Sequence, residues 1–175
     1  MPNTARLSLA PMSPSDAKEL FPIFSDPDGW WFAPESRHLD VATTEGFLER
    51  AAARWELDGV SYWTARALED NRVIGVGGVQ RHRSGVCWNL YYRIAGAEQR
   101  KGYATEVALA GIEAGRTVDP GLAVIAWIAP ANEPSRLTAR GLGLTEIGSY
   151  IDLNDGQPRL AYVDRPFDPA PLTPA

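Results

Sequence analysis

The chain has 175 residues, 45% of them apolar and 22% charged, and a formal net charge of −5. That length and apolar content suit one folded domain with a substantial core and exclude a disordered or low-complexity chain. The acidic balance argues against a broad phosphate-binding surface, and so against nucleic acid as the main partner. The single cysteine, Cys87, rules out an internal disulfide and fits a reducing compartment. With no base beside it in sequence, it reads as a small apolar strand residue rather than a nucleophile. His38 and His82 are too few and too far apart for a metal site. No stretch near the first residues has the apolar core of a signal peptide, and no run approaches the ~20 apolar residues of a membrane span. A cytoplasmic protein without a membrane partner is the expectation.

Residues 6–12 alternate apolar and polar and predict a first strand. Ser13-Pro14-Ser15-Asp16 offers a helix start, with a cap at Ser13 and proline in the first turn, and the helix should run to about Phe24. Residues 25–40 are rich in Pro, Asp and Gly around Trp30, Trp31 and Phe32, which predicts an ordered loop, since adjacent aromatics are costly to leave in water. Those rings either pack under the loop or wall a binding site. Thr43-Thr44-Glu45 opens a second helix ending at Asp58-Gly59, with Phe47, Leu48, Ala51 and Trp55 on one face.

A hairpin follows, residues 62–68 and 73–80 around Glu69-Asp70-Asn71-Arg72. Gly75-Val76-Gly77-Gly78 lacks the spacing of a dinucleotide fingerprint and reads as a strand closely approached by other backbone. Arg81-His82-Arg83-Ser84-Gly85 reads as a solvated turn. Residues 86–94 form the next strand, and apolar or small residues at 104, 107, 108, 111, 112 and 115 predict a helix over 104–118. Residues 122–128 are a strand buried on both faces. Asn132 caps a short helix to Arg140, and residues 145–153 and 159–165 pair across Asn154-Asp155-Gly156-Gln157. One domain over 1–165 is expected, with a proline-rich tail over 166–175. The element order predicts an α/β fold: a mixed, mostly antiparallel twisted sheet with helices on both faces.

Between the strand at 86–94 and the helix at 104–118 lies Glu98-Gln99-Arg100-Lys101-Gly102-Tyr103-Ala104. A strand, a polar turn with glycine and a helix start aim open backbone N–H groups and the positive helix end at one point, which suits a phosphate. Arg100 and Lys101 add two cations there. Gln99-Arg100-Lys101-Gly102-Tyr103-Ala104 resembles the pyrophosphate signature of the GCN5-related N-acetyltransferases (GNAT), Gln/Arg-x-x-Gly-x-Gly/Ala. Asn132-Glu133-Pro134-Ser135 resembles the Asn-x-x-Ser/Ala that opens the family's next helix, and Leu142-Gly143-Leu144 the Leu-Gly-Phe that closes it. The chain is most similar to the branch of ribosomal-protein N-terminal acetyltransferases.

This resemblance implies acetyl-coenzyme A as cofactor and a primary amine as acceptor, on a protein N-terminus or a small molecule. It also implies two parallel strands that splay to admit the pantetheine arm, and often a homodimer. Backbone at Ile94 and Ala95 would hold the pantetheine amides, the turn from Gln99 through Arg100, Lys101, Gly102 and Tyr103 to Ala104 would cradle the pyrophosphate, and Asn132 would orient the arm. Two departures stand out. Where many relatives carry a Tyr that serves the leaving thiolate, this chain has Ala139, so that role passes to Ser135. Where many carry a Glu as base, it has Asn89, which takes no proton at neutral pH. Tyr91, Tyr92 and Tyr150 are alternative relays. Trp30, Trp31, Asn89 and Tyr91 are the candidate acceptor-binding residues. The missing Tyr and Glu leave open a non-catalytic acyl-CoA-binding module, or a structural domain that keeps only the fold.

Overall fold

The computed structural model describes residues 3–152 and 156–168, so Asn154 and Asp155 of the expected last turn, and the tail beyond 168, lie outside the described residues. Strand β1 (Leu7–Pro11) leads through a Pro14–Asp16 turn into α1 (Ala17–Ser25). Ser13 caps that turn as expected, and the Asp16 carboxylate returns a bond to the Ser13 N–H at 3.2 Å, a reciprocal capping box.

Helix α2 (Val41–Asp58) starts two residues before the predicted Thr43. Asp40 is the better cap: its backbone is extended and its carboxylate accepts the Thr43 N–H at 2.7 Å. Gly59, left-handed at φ 71, closes the helix.

Strands β2 (Tyr62–Ala67), β3 (Val73–Arg81) and β4 (Cys87–Ile94) follow as a meander. Helix α3 (Tyr103–Val118) crosses to β5 (Ala123–Ile128). Helix α4 (Glu133–Gly141), β6 (Thr145–Ile151) and β7 (Pro158–Val163) complete the chain.

The strands form one seven-stranded sheet in the order β1-β2-β3-β4-β5-β7-β6. Tight turns make the meander antiparallel, whereas the long excursion through α3 brings β5 in parallel to β4. Leu20, Phe24, Leu48 and Ala51 of α1 and α2 pack on one face with Tyr62 and Val76. On the other, Ala108 and Ile112 of α3 and Ala139 of α4 pack against Val79, Trp88 and Leu90.

The glycines of β3 do what their sequence suggested. A Cβ on Gly111 of α3 would sit 2.9 Å from the Gly78 Cα, so helix and strand touch backbone to backbone. That contact sets how low α3 rides on the sheet, and hence where its first turn stands. The turn after β3 departs from expectation: His82 is buried, and Arg81 stacks 4.9 Å from the Trp88 ring centroid while pairing with Asp119. Trp88 is fully buried, and the half-buried guanidinium lies over its ring.

The β4–β5 ladder decides the rest. Only Cys87, Trp88 and Asn89 pair with β5, opposite Ala123, Val124 and Ile125. Beyond that register β4 runs on to Ile94 and β5 to Ile128 without pairing to each other, so the sheet is split at its middle. The twist between strands opens the gap further.

Candidate functional site

A cleft of about 940 Å³ occupies this split and reaches both faces of the sheet. Its α3 side begins at the turn after β4. The first helical hydrogen bond is Glu106 N–H to the Gly102 carbonyl, so the N–H groups of Tyr103, Ala104 and Thr105 precede any helical partner. No side chain caps this end, because the cap is Gly102, at φ 84. Arg100 is also left-handed at φ 61, a costly conformation for a residue with a side chain.

Tertiary contacts over-determine that shape. Arg6 Nη1 donates to the Lys101 carbonyl at 2.9 Å, its guanidinium lies 4.4 Å from the Tyr103 ring centroid, and it pairs with Glu106 at 2.7 Å. Burial would raise the Glu106 pKa, but bonds from Thr4, the Arg6 N–H and the Arg6 guanidinium outweigh it and hold the carboxyl below its usual range. Lys101 pairs with Glu98 at 3.0 Å.

In the split, Gln99 Nε2 donates to the Ile94 carbonyl at 3.2 Å and the Ala95 N–H is spent on the Ile74 carbonyl at 2.9 Å. Opposite stands the start of α4. Buried Asn132 accepts the Ser135 N–H at 3.2 Å, so Asn132 is the cap and the Ser135 hydroxyl is not used for capping. The Tyr92 hydroxyl donates to the Ser135 carbonyl at 3.2 Å. Burial pushes Tyr92 up to about 12, against the lowering effect of its bonds at Ser135 and Thr138, so it is a neutral donor and no base at neutral pH. Ala139, near the end of α4, is fully buried in the core.

The α1–α2 face of the cleft is built differently. Trp30 is buried, Trp31 is 57% exposed, and both line the cleft with Phe32. Trp30 packs under the loop, as one sequence reading expected, while its neighbour Trp31 stands out at the cleft wall. Tyr91 and Arg93 face this side from β4, and Trp127 from β5. The indole N–H of Trp127 is buried without a hydrogen-bond partner among the described residues.

The cleft thus gathers Trp30, Trp31, Tyr91, Ile94, Gln99, Arg100, Gly102, Tyr103, Ala104, Asn132 and Ser135. Asn89 lies apart: its amide donates to the Tyr62 hydroxyl at 2.9 Å, and it faces a separate cavity beneath α2 with Gln80 and Arg54. Ala95 and Lys101 belong to the same turn but do not line the cleft. Cys87 is buried and its thiol is pushed up to about 12 by burial, as a packing residue should be. Among the described residues no cluster of His, Cys, Asp and Glu is arranged to hold a metal, and no helix is long and apolar enough to cross a membrane.

Sequence reasoning missed Arg6, Arg93 and Trp127, and named Tyr92 only as a proton relay, a role that its raised pKa does not suit. Arg93 was findable, because the strand period puts it on the face of Tyr91. Arg6 was not, being nearly a hundred residues from the turn it holds.

The family model for the acetyltransferase (GNAT) domain matches residues 6–145. Among solved structures, an acetyltransferase from Agrobacterium tumefaciens is 21% identical, covering 95% of each chain with a TM-score of 0.77. A GNAT-family acetyltransferase from Bacillus anthracis is 19% identical over 92% of this chain and 95% of its own, with a TM-score of 0.75. RimL, the ribosomal L7/L12 α-N-protein acetyltransferase solved in complex with coenzyme A, is 14% identical over 93% of this chain and 95% of its own, with a TM-score of 0.72. At these identities the likeness is one of fold. A search of curated proteins finds no match.

Proposed function

The chain belongs to the GNAT acetyltransferase family, and on that premise we propose that it binds acetyl-coenzyme A in the split of its sheet and acetylates a primary amine, either a protein N-terminus or a small molecule. The observation that carries this reading is the early end of the β4–β5 ladder beside an uncapped helix start. The residues present fit the group. An uncapped first turn with three unbonded N–H groups suits a diphosphate, and a left-handed glycine leaves room for its approach. The facing edges of β4 and β5, which no longer pair with each other, suit an extended arm carrying amides.

When bound, acetyl-coenzyme A supplies the activated thioester that the amine nitrogen attacks directly, forming C–N as C–S breaks. In this reading the main-chain N–H groups of Tyr103, Ala104 and Thr105 hold the diphosphate and Asn132 borders the arm. The Ser135 hydroxyl donates to the departing sulfur. Ala95 contributes position rather than its N–H, which is already bonded to Ile74. No carboxylate takes the usual place of the base, so the amine's proton passes to water in the open cleft. An α-amine, with a pKa near 8, keeps a useful neutral fraction at neutral pH. Holding both reactants in one cleft supplies much of the acceleration.

A second reading, an acyl-CoA-binding module without turnover, is favoured by Ala139 and Asn89 standing where many members of the family carry Tyr and Glu. One experiment separates them. Coenzyme A at about 100 times its Kd should add about 2.7 kcal/mol of stability in a melting assay. Release of free thiol from acetyl-coenzyme A should then follow addition of a suitable amine. Binding with no thiol release across a broad panel of peptides and small amines selects the module, and no stabilisation by coenzyme A removes both readings.

A further inference from the structure

Arg93 is the feature of the cleft that the acetyl-transfer reading leaves unused. Arg66, Arg72 and Arg116 each hold a carboxylate. Arg93 makes no ion pair among the described residues, although it is half-buried and lines the cleft. Its guanidinium is nevertheless fixed. It lies 3.3 Å from the Trp30 ring centroid, Nε donates to the Tyr91 hydroxyl at 3.1 Å, and Nη1 donates to the Gly29 carbonyl at 2.9 Å. A guanidinium has five N–H donors. The remaining three, one on Nη1 and two on Nη2, have no acceptor among the described residues. A cation taken partly out of water, held on three sides and lacking its counter-ion costs free energy unless a ligand supplies the missing anion.

We propose that Arg93 reads a carboxylate on the acceptor, so that the preferred substrate is an amine that also carries a carboxylate. This rests on the proposed acetyl transfer for the identity of the site. Tyr91 and Arg93 are neighbours on one face of β4, roughly 7 Å apart along the strand. An acceptor whose amine approaches the split at the level of Tyr91 can therefore extend its carboxylate along the strand to Arg93. The planar fork binds a carboxylate through two parallel hydrogen bonds, which selects this group over a neutral amide. Asp28, next to Gly29 in the same loop, also lines the cleft, so an acceptor bearing both charges meets an opposite charge for each. The shared chemistry has two sources, a free amino acid or the first residue of an acidic peptide.

The test compares matched acceptors that differ only in carboxylate against amide. One arm uses linear amino acids from glycine to 6-aminohexanoate and their amides. The other uses short peptides beginning with Asp or Glu against Asn or Gln. The wild type should show kcat/KM about tenfold to a hundredfold higher for the acid of the best pair, the usual worth of a charged hydrogen bond. Arg93→Gln should bring that ratio close to one, and Arg93→Lys should keep part of it. The arm that discriminates names the source. An acid-to-amide ratio near one in the wild type overturns the proposal. So does an Arg93→Gln variant that slows both members of each pair equally, because a residue that merely pins the Gly29–Trp30 loop would act that way. Tryptophan fluorescence, to which Trp30, Trp31 and Trp127 of the cleft contribute, gives a readout independent of turnover. The acid should bind the wild type with at least tenfold lower Kd than its amide, with or without coenzyme A, and Arg93→Gln should erase the difference; equal Kd values in the wild type overturn the proposal. Coenzyme A binding, followed separately by melting temperature, reports failure of the acetyl-transfer reading rather than of this one.

Discussion

The two sides of the cleft are made of different material. The side facing α3 is main chain: open N–H groups at a helix start, two left-handed residues and the free edges of parted strands. The side facing α1 and α2 is side chain: Trp31, Phe32, Tyr91, Arg93 and Trp127, drawn from three distant segments. Main-chain recognition depends on backbone conformation, so it leaves a short local signature of glycine, small residues and spacing. Side-chain recognition depends on which distant segments meet, so it leaves none. A family can hold the first side constant and vary the second by loop exchange.

That division is open to attack. The largest effect should come from Gly102→Glu, which puts a side chain at φ 84 and a negative charge where the diphosphate is proposed to sit. Affinity for coenzyme A, measured by calorimetry, should fall beyond a hundredfold while the circular dichroism spectrum is kept. An unchanged Kd would remove the phosphate assignment, and with it the idea that this side is built from backbone.

Ser135→Ala should lower turnover by about tenfold to a hundredfold, the usual worth of a positioned proton donor, with the Kd for coenzyme A within threefold. The cap of α4 uses the Ser135 N–H and not its hydroxyl, so the helix start survives the change. Equal turnover would leave the hydroxyl with no part in the chemistry.

Gly111→Ala tests whether the sheet side sets the turn. Its Cβ would meet the Gly78 Cα at 2.9 Å, and backbone cannot swing aside. Overpacking of this kind costs about 1–3 kcal/mol, and each kcal/mol lowers the melting temperature by roughly 2–4 °C at this chain length. Coenzyme A affinity should fall as α3 lifts, while carboxylate binding at Arg93 stays as it was. Loss of both together would show that the two sides are not independent.

The smallest effect concerns pH. Glu106 and Asp164 are both held below their usual pKa. For each, burial works upward and is outweighed, at Glu106 by Thr4 and Arg6, and at Asp164 by Arg116, the Val124 N–H and Arg165. A depressed carboxyl contributes stability that is fully present above its unfolded pKa, about 4. That contribution is lost as pH falls through the lower folded value. The melting temperature should therefore drop below about pH 4, and Glu106→Gln should flatten part of that drop. An identical profile in the variant would mean that the Arg6–Glu106 clasp does not support the turn.

Much of the fold was legible because its elements announce themselves locally. The helix at α3 follows from the spacing of Val107, Ala108, Gly111, Ile112 and Gly115, all buried on one face as predicted. Asn132 caps α4 as its sequence position suggested. The start of α2 was misplaced because Thr43 and Asp40 both qualify as caps, and only the extended backbone at Asp40 separates them. The turn at Arg81–Gly85 looked solvated because charge was read without its partners, Trp88 and Asp119. Asn89 was read with the acceptor residues because strand period gives its face but not its depth, and it faces the cavity under α2.

By itself the sequence determined the order of elements, the glycine turn before the central helix and the family to which both belong, since each is written in contacts between residues a few positions apart. The three-dimensional fold alone decided how far β4 and β5 stay paired, that Arg6 holds the turn, and that Arg93 faces the cleft with no carboxylate paired to it among the described residues. Those outcomes depend on segments that meet only after the sheet has formed, and no periodicity along the chain encodes such meetings.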